Sequence, residues 1–119
     1  AGRTRGGLGQ IMEIESGIAE PFDLLAAFDR IDHPPRGRDG GADGEAGVVA
    51  LKSGSKLKGK GFQAIPPGDR LVIMTPGGAG IGRATERDRV QVANDLADGL
   101  ISPQAADKLY AYKPPEAAE

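Results

Sequence analysis

The stretch that organises this chain runs from residue 71 to residue 82 and has the sequence LVIMTPGGAGIG. Its first four residues are apolar on both faces of an extended chain, which is typical of a strand buried on both sides. A glycine-rich segment, residues 77–82, follows directly and precedes the first helical pattern. A glycine loop between a buried strand and a helix is a setting in which backbone N–H groups bind phosphate.

Two interpretations of this loop are open. The spacing Gly77-x4-Gly82 matches the start of a P-loop, but Arg83-Ala84 stands where that motif needs Lys and Ser or Thr. The dinucleotide pattern G-x-G-x-x-G also fails, because an arginine occupies its third glycine position. We therefore expect Gly77, Gly78 and the neighbouring Gly80 to serve tight packing or positive φ angles, with nucleotide binding as the less favoured alternative.

Period-two alternation of apolar and polar residues predicts strands upstream of this loop. This pattern predicts strands at residues 10–15 and 22–28. Further strands are expected at 48–52, at 56–60 and, as described above, at 71–74, and residues 62–65 form a short apolar run. Three lysines share one face of the 56–60 strand, which favours a solvated edge strand, with an anion-binding row as the alternative. The sequence Pro66-Pro67-Gly68-Asp69 predicts a type II turn.

Helical signals begin only after the glycine loop. Thr85 followed by Asp88 resembles a capping box and predicts a helix at about residues 86–98, stopped by Gly99. Its apolar positions are Val90, Ala93, Leu96, Ala97 and Leu100. Ser102 and Pro103 predict the start of a second helix over residues 103–110. Its apolar side is expected to hold Ala106, Leu109 and Tyr110.

This order of elements predicts an α+β fold that is mainly β. We expect antiparallel strands, arranged as a sandwich or barrel-like sheet, followed by two short helices. The chain is expected to form a single domain, residues 1–119, of a longer subunit. It would comprise a β-rich part (1–82) with a long loop (30–47), a helical part (83–113) and a tail (114–119).

Composition narrows the function classes. The 119 residues include 19 glycines and 9 prolines, and 39% are hydrophobic, many of them alanine, so the expected core is small. Zero cysteines exclude disulfides and thiolate chemistry, and a single histidine excludes a multi-histidine metal site. A net charge of −2 argues against a nucleic-acid partner. No apolar run reaches the roughly 18 residues of a membrane span. Without an initiator Met or a signal segment, the chain is expected to be a cytoplasmic portion of something longer.

The loop at residues 30–47 exceeds the roughly 12–15 residues usual for a structureless connection, which indicates a functional role or contact with a partner. His33 within it is interpreted as solvated or hydrogen-bonded, with a catalytic imidazole oriented by Asp29 or Asp32 as the alternative. Asp29 and Arg30 are candidates for a local ion pair. No two carboxylates indicate an acid/base couple, so no catalytic residue and no metal ligand are assigned.

Four blocks of residues then occur in a fixed order. The first is Arg5-Gly6-Gly7-Leu8-Gly9-Gln10. The second is Asp29-Arg30, Pro34-Pro35-x-Gly37 and Gly40-Gly41-x-x-Gly44. The third is Pro67-Gly68-Asp69 with Thr75-Pro76-Gly77-Gly78-x-Gly80-x-Gly82. The fourth is Glu86-Arg87-Asp88, Val90, Asp95, Gly99, Ser102, Ala106 and Tyr110. Together these blocks resemble the C-terminal part of the hydantoinase B, 5-oxoprolinase and acetone carboxylase family. Ala79, Arg83-Ala84 and Ala111 depart from its pattern, which usually has Gly, Asp-Pro and Gly there.

The resemblance implies a parent subunit that opens a cyclic amide, such as hydantoin or 5-oxoproline, with ATP hydrolysis; related members carboxylate ketones. It implies that ATP is bound by a separate hydantoinase A-like subunit or region and that metal and acid/base residues lie elsewhere in the parent complex. No cofactor is therefore expected in this chain, which would be inactive alone. The implied partners are the rest of its own subunit and the ATP-binding subunit, with no nucleic acid and no membrane.

Eight residues are expected near a site on these grounds. They are Asp29, Arg30, His33, Gly40, Gly41, Gly77, Gly78 and Gly80. The expected role is structural support and subunit contact, with a freestanding β-rich binding module as the alternative. Apolar surface is expected to be exposed at Leu25 and Ala27 on one strand and at Leu96 and Leu100 on the first helix.

Overall fold

A computed structural model describes residues 1–115 of the chain. Its elements in chain order are β1 (Gln10–Glu15), β2 (Phe22–Ala27), β3 (Val48–Leu51), β4 (Lys60–Ile65), β5 (Arg70–Thr75), a 3₁₀ turn (Ala84–Glu86), α1 (Arg89–Ala97) and α2 (Pro103–Tyr110). The expected α+β, mainly β fold with two short C-terminal helices is confirmed. Among residues 1–115, no helix has the length and apolar character that crossing a membrane requires.

The chain forms two compact units whose segments alternate along the sequence. One, called here the sandwich unit, comprises residues 9–35 and 45–77. The other, the glycine unit, comprises residues 1–8, residues 36–44 and the chain from Gly78 onward. The units interleave instead of dividing near residue 82. The expectation of a single domain stays a prediction, and the last four residues of the expected tail lie outside the described residues.

Two antiparallel sheets build the sandwich unit. The first has the strand order β1-β5-β3, and the second pairs β2 with β4. The register places Met12 and Val49 on either side of Ile73, so these side chains share one face of the first sheet. In the second sheet Phe22 lies opposite Ile65.

Buried side chains from both sheets form one core. Val49, Ile65, Leu71 and Ile73 are its buried members. Packed against them are the half-buried Met12, Phe22, Leu24, Phe28, Ile31, Leu51 and Leu57. Strand β5 therefore occupies the centre of its sheet, as its apolar sequence predicts, although its Met74 is exposed.

The turn between β4 and β5 follows its sequence. Gly68 has a φ of 80°, and the amide of Asp69 donates to the carbonyl of Pro66 at 3.4 Å. A positive φ at the third position of the turn is the feature that defines type II and favours glycine there. The predicted turn is confirmed.

The predicted strand at residues 56–60 is wrong. Lys56 makes only an isolated bridge with Ala50, and strand β4 begins at Lys60. The side-chain amide of Gln63 accepts from the Lys58 amide at 2.6 Å and donates to the Lys58 carbonyl at 2.7 Å. Both backbone groups that Lys58 would use in a ladder are thereby occupied, so the three lysines do not share a strand face.

The first helix begins later than predicted. Residues 84–86 form a 3₁₀ turn, and α1 starts at Arg89 with Asp88 as its N-cap. The Asp88 carboxylate accepts from the amide of Gln91 at 3.0 Å, so Asp88 caps the helix itself and Thr85 does not. The end is as predicted: Gly99 has a φ of 71°, and the amide of Leu100 donates to the carbonyl of Asp95 at 2.8 Å, as in a Schellman motif.

The buried side of α1 also differs from the predicted apolar side. Val92 and Asp95 are buried, whereas Val90 is 66% exposed and Leu96 is half-buried. The reason is the pairing of Asp95 with two arginines, described below. In α2 the Ser102 hydroxyl accepts from the amide of Ala105 at 3.1 Å, which confirms the predicted cap. The buried residues of α2 are Ala106 and Tyr110, while Leu109 is exposed.

Candidate functional site

The glycine segments of the glycine unit pair through their backbones. Residues 78–82 lie between residues 1–8 and residues 36–44, with Ile81 bridged to Thr4 on one side and to Arg38 on the other. We call this arrangement the glycine ladder. Its three segments contain the glycine-rich parts of the first, second and third sequence blocks.

Four of the five amide groups in residues 78–82 donate to backbone carbonyls within the ladder. The amide of Gly78 donates to Gly7, that of Gly80 to Ala42, that of Ile81 to Thr4 and that of Gly82 to Arg38, at 2.8 to 2.9 Å. A phosphate-binding loop needs these N–H groups free to point at the ligand. Because protein carbonyls accept from them, this loop does not present a phosphate cradle.

Close backbone approach explains why the segments are glycine. A Cβ added at Gly6 would overlap the carbonyl group of Gly78, and one at Gly41 would overlap the carbonyl group of Gly80. A Cβ at Gly80 would overlap the carbonyl oxygen of Ala1. One at Gly78 would lie 3.2 Å from the Cα of Gly6, a tight contact. The prediction that Gly78 and Gly80 serve packing is confirmed through contact, and neither has a positive φ.

The segment 36–44 reverses through a tight turn that the sequence analysis missed. Asp39 and Gly40 have φ angles of 51° and 86°, and the amide of Gly41 donates to the carbonyl of Arg38 at 2.8 Å. Two positive φ angles define a type I′ turn, for which Asp-Gly is a preferred sequence. The Asp39-Gly40 pair is the sequence signal from which this turn could have been predicted.

A buried carboxylate fastens α1 to the N-terminal segment. The Arg5 guanidinium donates to both oxygens of Asp95, from Nε at 3.1 Å and from Nη2 at 3.2 Å. Arg87 approaches the same carboxylate, with its Nη2 3.0 Å and its Nε 3.1 Å from Oδ2. Arg87 also donates to the carbonyl of Arg3 at 3.2 Å. We call Arg5, Arg87 and Asp95 the arginine clamp.

The opposite charges of the arginine clamp compensate for the burial of its side chains. The side chains of Asp95 and Arg87 are only 8% and 9% exposed, so neither charge is well hydrated. Burial by itself raises the pKa of Asp95, but the hydrogen bond from Arg5 and the charges of both arginines outweigh it, and the net pKa lies below its usual value. The hydrogen bond that Arg5 donates to Asp95 likewise raises the pKa of Arg5. Asp95 is therefore a carboxylate at neutral pH, occupied in structural pairing.

A second carboxylate joins two turns in the sandwich unit. Asp69 accepts from the Ser53 hydroxyl at 2.6 Å, from the Ser53 amide at 3.2 Å and from the Arg70 amide at 2.8 Å. These hydrogen bonds, with that from the Ser53 hydroxyl the strongest, lower the pKa of Asp69. The Pro-Gly-Asp block thus connects the β4–β5 turn to the turn after β3.

Three of the other predicted residues, Asp29, Arg30 and His33, line a small cavity of the sandwich unit. It has a volume of about 160 Å³ and is lined by Phe28, Asp29, Arg30, Ile31, Asp32, His33, Gly59 and Lys60. Asp29 pairs with Lys60 at 2.7 Å, not with Arg30, and this hydrogen bond lowers the pKa of Asp29. No hydrogen bond or ion pair within residues 1–115 joins His33 to Asp29 or Asp32. The orienting carboxylate that a catalytic histidine needs is not in place.

The eight predicted residues therefore fall into two groups. Gly40, Gly41, Gly78 and Gly80 meet in the glycine ladder. Asp29, Arg30 and His33 line the cavity of the sandwich unit. Gly77 belongs to the same unit but does not line the cavity. Over residues 1–115, no group of three or more His, Cys, Asp or Glu side chains is arranged to hold a metal ion.

Residues 1–84 match the family model described as hydantoinase B/oxoprolinase. The match spans more than half of the chain, and the chain belongs to this family. The expected resemblance is thereby confirmed.

Relatives extend the similarity beyond residue 84. An uncharacterized protein of Methanocaldococcus jannaschii is 36% identical over 116 residues, which is 95% of this chain and 20% of that protein. The 5-oxoprolinase 1 of Arabidopsis thaliana is 36% identical over 85 residues, which is 68% of this chain and 7% of that protein. The chain thus spans a fifth or less of the length of these curated relatives.

A solved structure shares the fold. The crystal structure of an ATP-dependent caprolactamase from Pseudomonas jessenii superposes with a TM-score of 0.73 at 21% identity. The similarity covers 100% of this chain and 22% of the caprolactamase chain. The same arrangement of strands and helices therefore occurs inside a much longer polypeptide.

The structure gives physical roles to residues that the sequence analysis identified only as motif positions. Arg5, Arg87 and Asp95 belong to the first and fourth blocks and form the arginine clamp. Ala111, where the family usually has Gly, ends α2 in the left-handed conformation at a φ of 48°. That conformation favours glycine, which is the residue that the resemblance described above implies at this position.

Proposed function

We propose that this chain is the C-terminal portion of a hydantoinase B/oxoprolinase-type subunit that supports ATP-dependent hydrolysis of a cyclic amide. The proposed substrate belongs to the hydantoin or 5-oxoproline class. The family match of residues 1–84 carries the proposal. The names of two similar proteins, 5-oxoprolinase 1 and ATP-dependent caprolactamase, support ring opening of an amide with ATP.

Within that reaction the proposed role of this chain is structural. The supporting observation is that carbonyl groups of the protein accept from the amides of Gly78, Gly80, Ile81 and Gly82. A loop saturated in this way holds segments together and leaves no N–H groups of these residues for a phosphate. ATP is proposed to bind a hydantoinase A-like subunit or region, and the metal and the acid/base groups are proposed to lie elsewhere in the parent complex.

The proposal also includes partners and a location. The rest of the subunit and the ATP-binding subunit are the proposed partners, because the chain spans a fifth or less of the curated relatives named above. A cytoplasmic location is proposed, since the reaction consumes ATP. No feature of residues 1–115 favours a freestanding binding module over the family match of residues 1–84.

The test uses the complete subunit that contains this chain, purified with its ATP-binding partner. ATP hydrolysis is measured as phosphate release, and ring opening as the linear amino acid or carbamoyl product, with hydantoin, 5-oxoproline and caprolactam as substrates. The proposal predicts phosphate release that depends on one of these amides and matches product formation. ATP turnover that depends instead on a ketone and bicarbonate would identify a carboxylase and overturn the proposal, as would the absence of turnover with all three amides.

A further inference from the structure

The β2–β4 ribbon exposes an apolar face. Leu25 and Phe62 lie opposite one another in the register and are 68% and 73% exposed. Ala27 and Ala64 are exposed on the same side of their strands. We call these four residues the ribbon face. The opposite side of the ribbon, with Phe22, Leu24, Ala26 and Ile65, packs into the molecule, so the ribbon is apolar on both sides.

Such a pattern is typical of a strand pair buried on both faces. An antiparallel sheet with one solvated face alternates apolar and polar residues. Two charged side chains, Asp23 and Lys60, lie on the same side as the ribbon face, one at each end of it. Lys60 forms an ion pair with Asp29, which is outside the ribbon. No charged side chain lies across the central pair of Leu25 and Phe62.

The outer face of the three-stranded sheet provides a contrast. It also carries apolar residues, including Ile11 and Met74, but charged side chains cross it. Glu13 pairs with Lys52 at 2.6 Å and with Arg70 at 3.3 Å, and Arg70 also pairs with Glu15 at 3.1 Å. Ion pairs therefore cross that face, whereas none crosses the central pair of Leu25 and Phe62 on the ribbon face.

The edges of the ribbon are also unpaired. Within residues 1–115, β2 and β4 pair only with each other. A two-stranded ribbon is only marginally stable by itself, and unpaired strand edges offer free N–H and C=O groups to a neighbouring segment. The ribbon therefore presents both apolar area and hydrogen-bonding capacity to a partner.

We infer that the ribbon face is an internal docking surface that packs against an apolar surface from another segment of the same subunit polypeptide. Chain length is the argument for this occupant: this chain spans 20% of the archaeal relative, and its fold occupies 22% of the caprolactamase chain. In a subunit as long as these relatives, about four-fifths of the polypeptide would be available to cover the face without a second molecule. The inference rests on family membership and on exposure, not on the proposed reaction.

Hydroxyl-radical footprinting of the complete subunit tests the inference, because phenylalanine and leucine side chains react in proportion to their exposure. Ile18 is the internal reference, since it is 66% exposed in the same unit but lies in the β1–β2 connection. With the subunit diluted to its monomeric state, we expect Phe62 to react at least tenfold more slowly than its exposure here predicts relative to Ile18. Protection that disappears on dilution assigns the face to a second copy and overturns the inference. Full reactivity at every concentration also overturns it.

A pair of substitutions gives an independent readout in the complete subunit. Phe62→Lys places a charge in the ribbon face, and Ile18→Lys makes the same change at a similarly exposed site away from that face. We expect Phe62→Lys to lower the Tm of the monomeric subunit by several degrees or to abolish its soluble expression, while Ile18→Lys leaves both unchanged. Equal behaviour of the two variants overturns the inference. Failure of the amide-hydrolysis assay leaves these outcomes unaffected, so the two proposals are separable.

Discussion

Asp95 shows how one residue connects distant parts of the glycine unit. It is buried on α1, yet both of its oxygens accept hydrogen bonds from arginines, one of them 90 positions away in sequence. Removing one partner from a buried ion pair leaves an uncompensated charge, which costs about 3–5 kcal/mol. Substitution of one clamp residue therefore shows how much the clamp contributes to the free energy of unfolding.

We expect Asp95→Asn to lower the free energy of unfolding by about 3–5 kcal/mol, because it leaves the buried Arg87 and the half-buried Arg5 without a counter-charge. Asp107→Asn, on the exposed side of α2, makes the same change in charge and serves as the control. Urea denaturation of both variants measures the difference. Equal midpoints for the two variants would show that the clamp does not stabilise the fold.

The clamp also makes stability depend on pH. The folded-state pKa of Asp95 lies below its usual value, so its contribution to stability is complete above the unfolded-state pKa of about 3.9 and is lost as pH falls through the folded-state value. We expect the native protein to lose stability from about pH 5 downward, and Asp95→Asn to lose less over the same range. Denaturation at a series of pH values between 7 and 3 measures both slopes. Identical slopes would mean that protonation of Asp95 does not destabilise the fold.

Ala111 carries a conformational cost that the family's glycine would avoid. Its φ of 48° places a Cβ in the left-handed region, which costs roughly 1–2 kcal/mol for a residue other than glycine. We expect Ala111→Gly to raise the free energy of unfolding by up to about 1 kcal/mol. Ala105→Gly, within α2, should lower it by about 1 kcal/mol through lost helix propensity. The opposite signs are checked by thermal unfolding, and a loss of stability in both variants would contradict the assignment.

The sequence indicated which residues belong to motifs, but it did not indicate which of them contact one another. The motif pattern singled out Arg5, Arg87 and Asp95 without indicating that they meet. Hydrophobic periodicity placed Val90 on the buried side of α1, whereas the structure buries Asp95 there. A carboxylate counts as polar in any periodicity argument, and its burial is favourable here because Arg5 and Arg87 pair with it.

Among the structural elements, the glycine ladder depends on the close approach of its backbone segments to one another. Gly6 and Gly7 are adjacent in sequence but differ in surroundings: a Cβ at Gly6 would overlap Gly78, whereas a Cβ at Gly7 would meet no atom within 4 Å. We expect Gly6→Ala to destabilise the fold by roughly 1–3 kcal/mol, as overpacking does, and Gly7→Ala to have little effect. Thermal unfolding of this matched pair measures the difference. Similar melting temperatures would refute close packing of the ladder.

The strands were predictable because alternation is a local signal. Residues 10–15 and 22–27 form strands where period two predicts them, and the type II turn at Gly68 follows from its residues alone. The lysine-rich stretch failed because the side chain of Gln63 takes the place of a strand partner. Competition between a side chain and a backbone ladder depends on tertiary position, which the local pattern does not contain.

At the scale of the whole molecule, the sequence predicted the family and the fold class, but not the interleaving of the two units. Segments 1–8 and 36–44 were assigned to the β-rich part because they precede the helices. In the structure they join the chain beyond Gly78 in one unit. Their only long-range signal was shared glycine content, which indicates close approach without identifying the partner.

The glycine loop is expected to hold the segments of the glycine unit together and not to bind nucleotide. Gly78→Ala tests it most directly, because its Cβ would lie 3.2 Å from Gly6, a contact tight enough to destabilise and mild enough to allow folding. In the complete subunit with its ATP-binding partner, we expect a lower Tm with the KM for ATP unchanged within about twofold. A KM for ATP raised tenfold or more, with the Tm unchanged, would contradict the account.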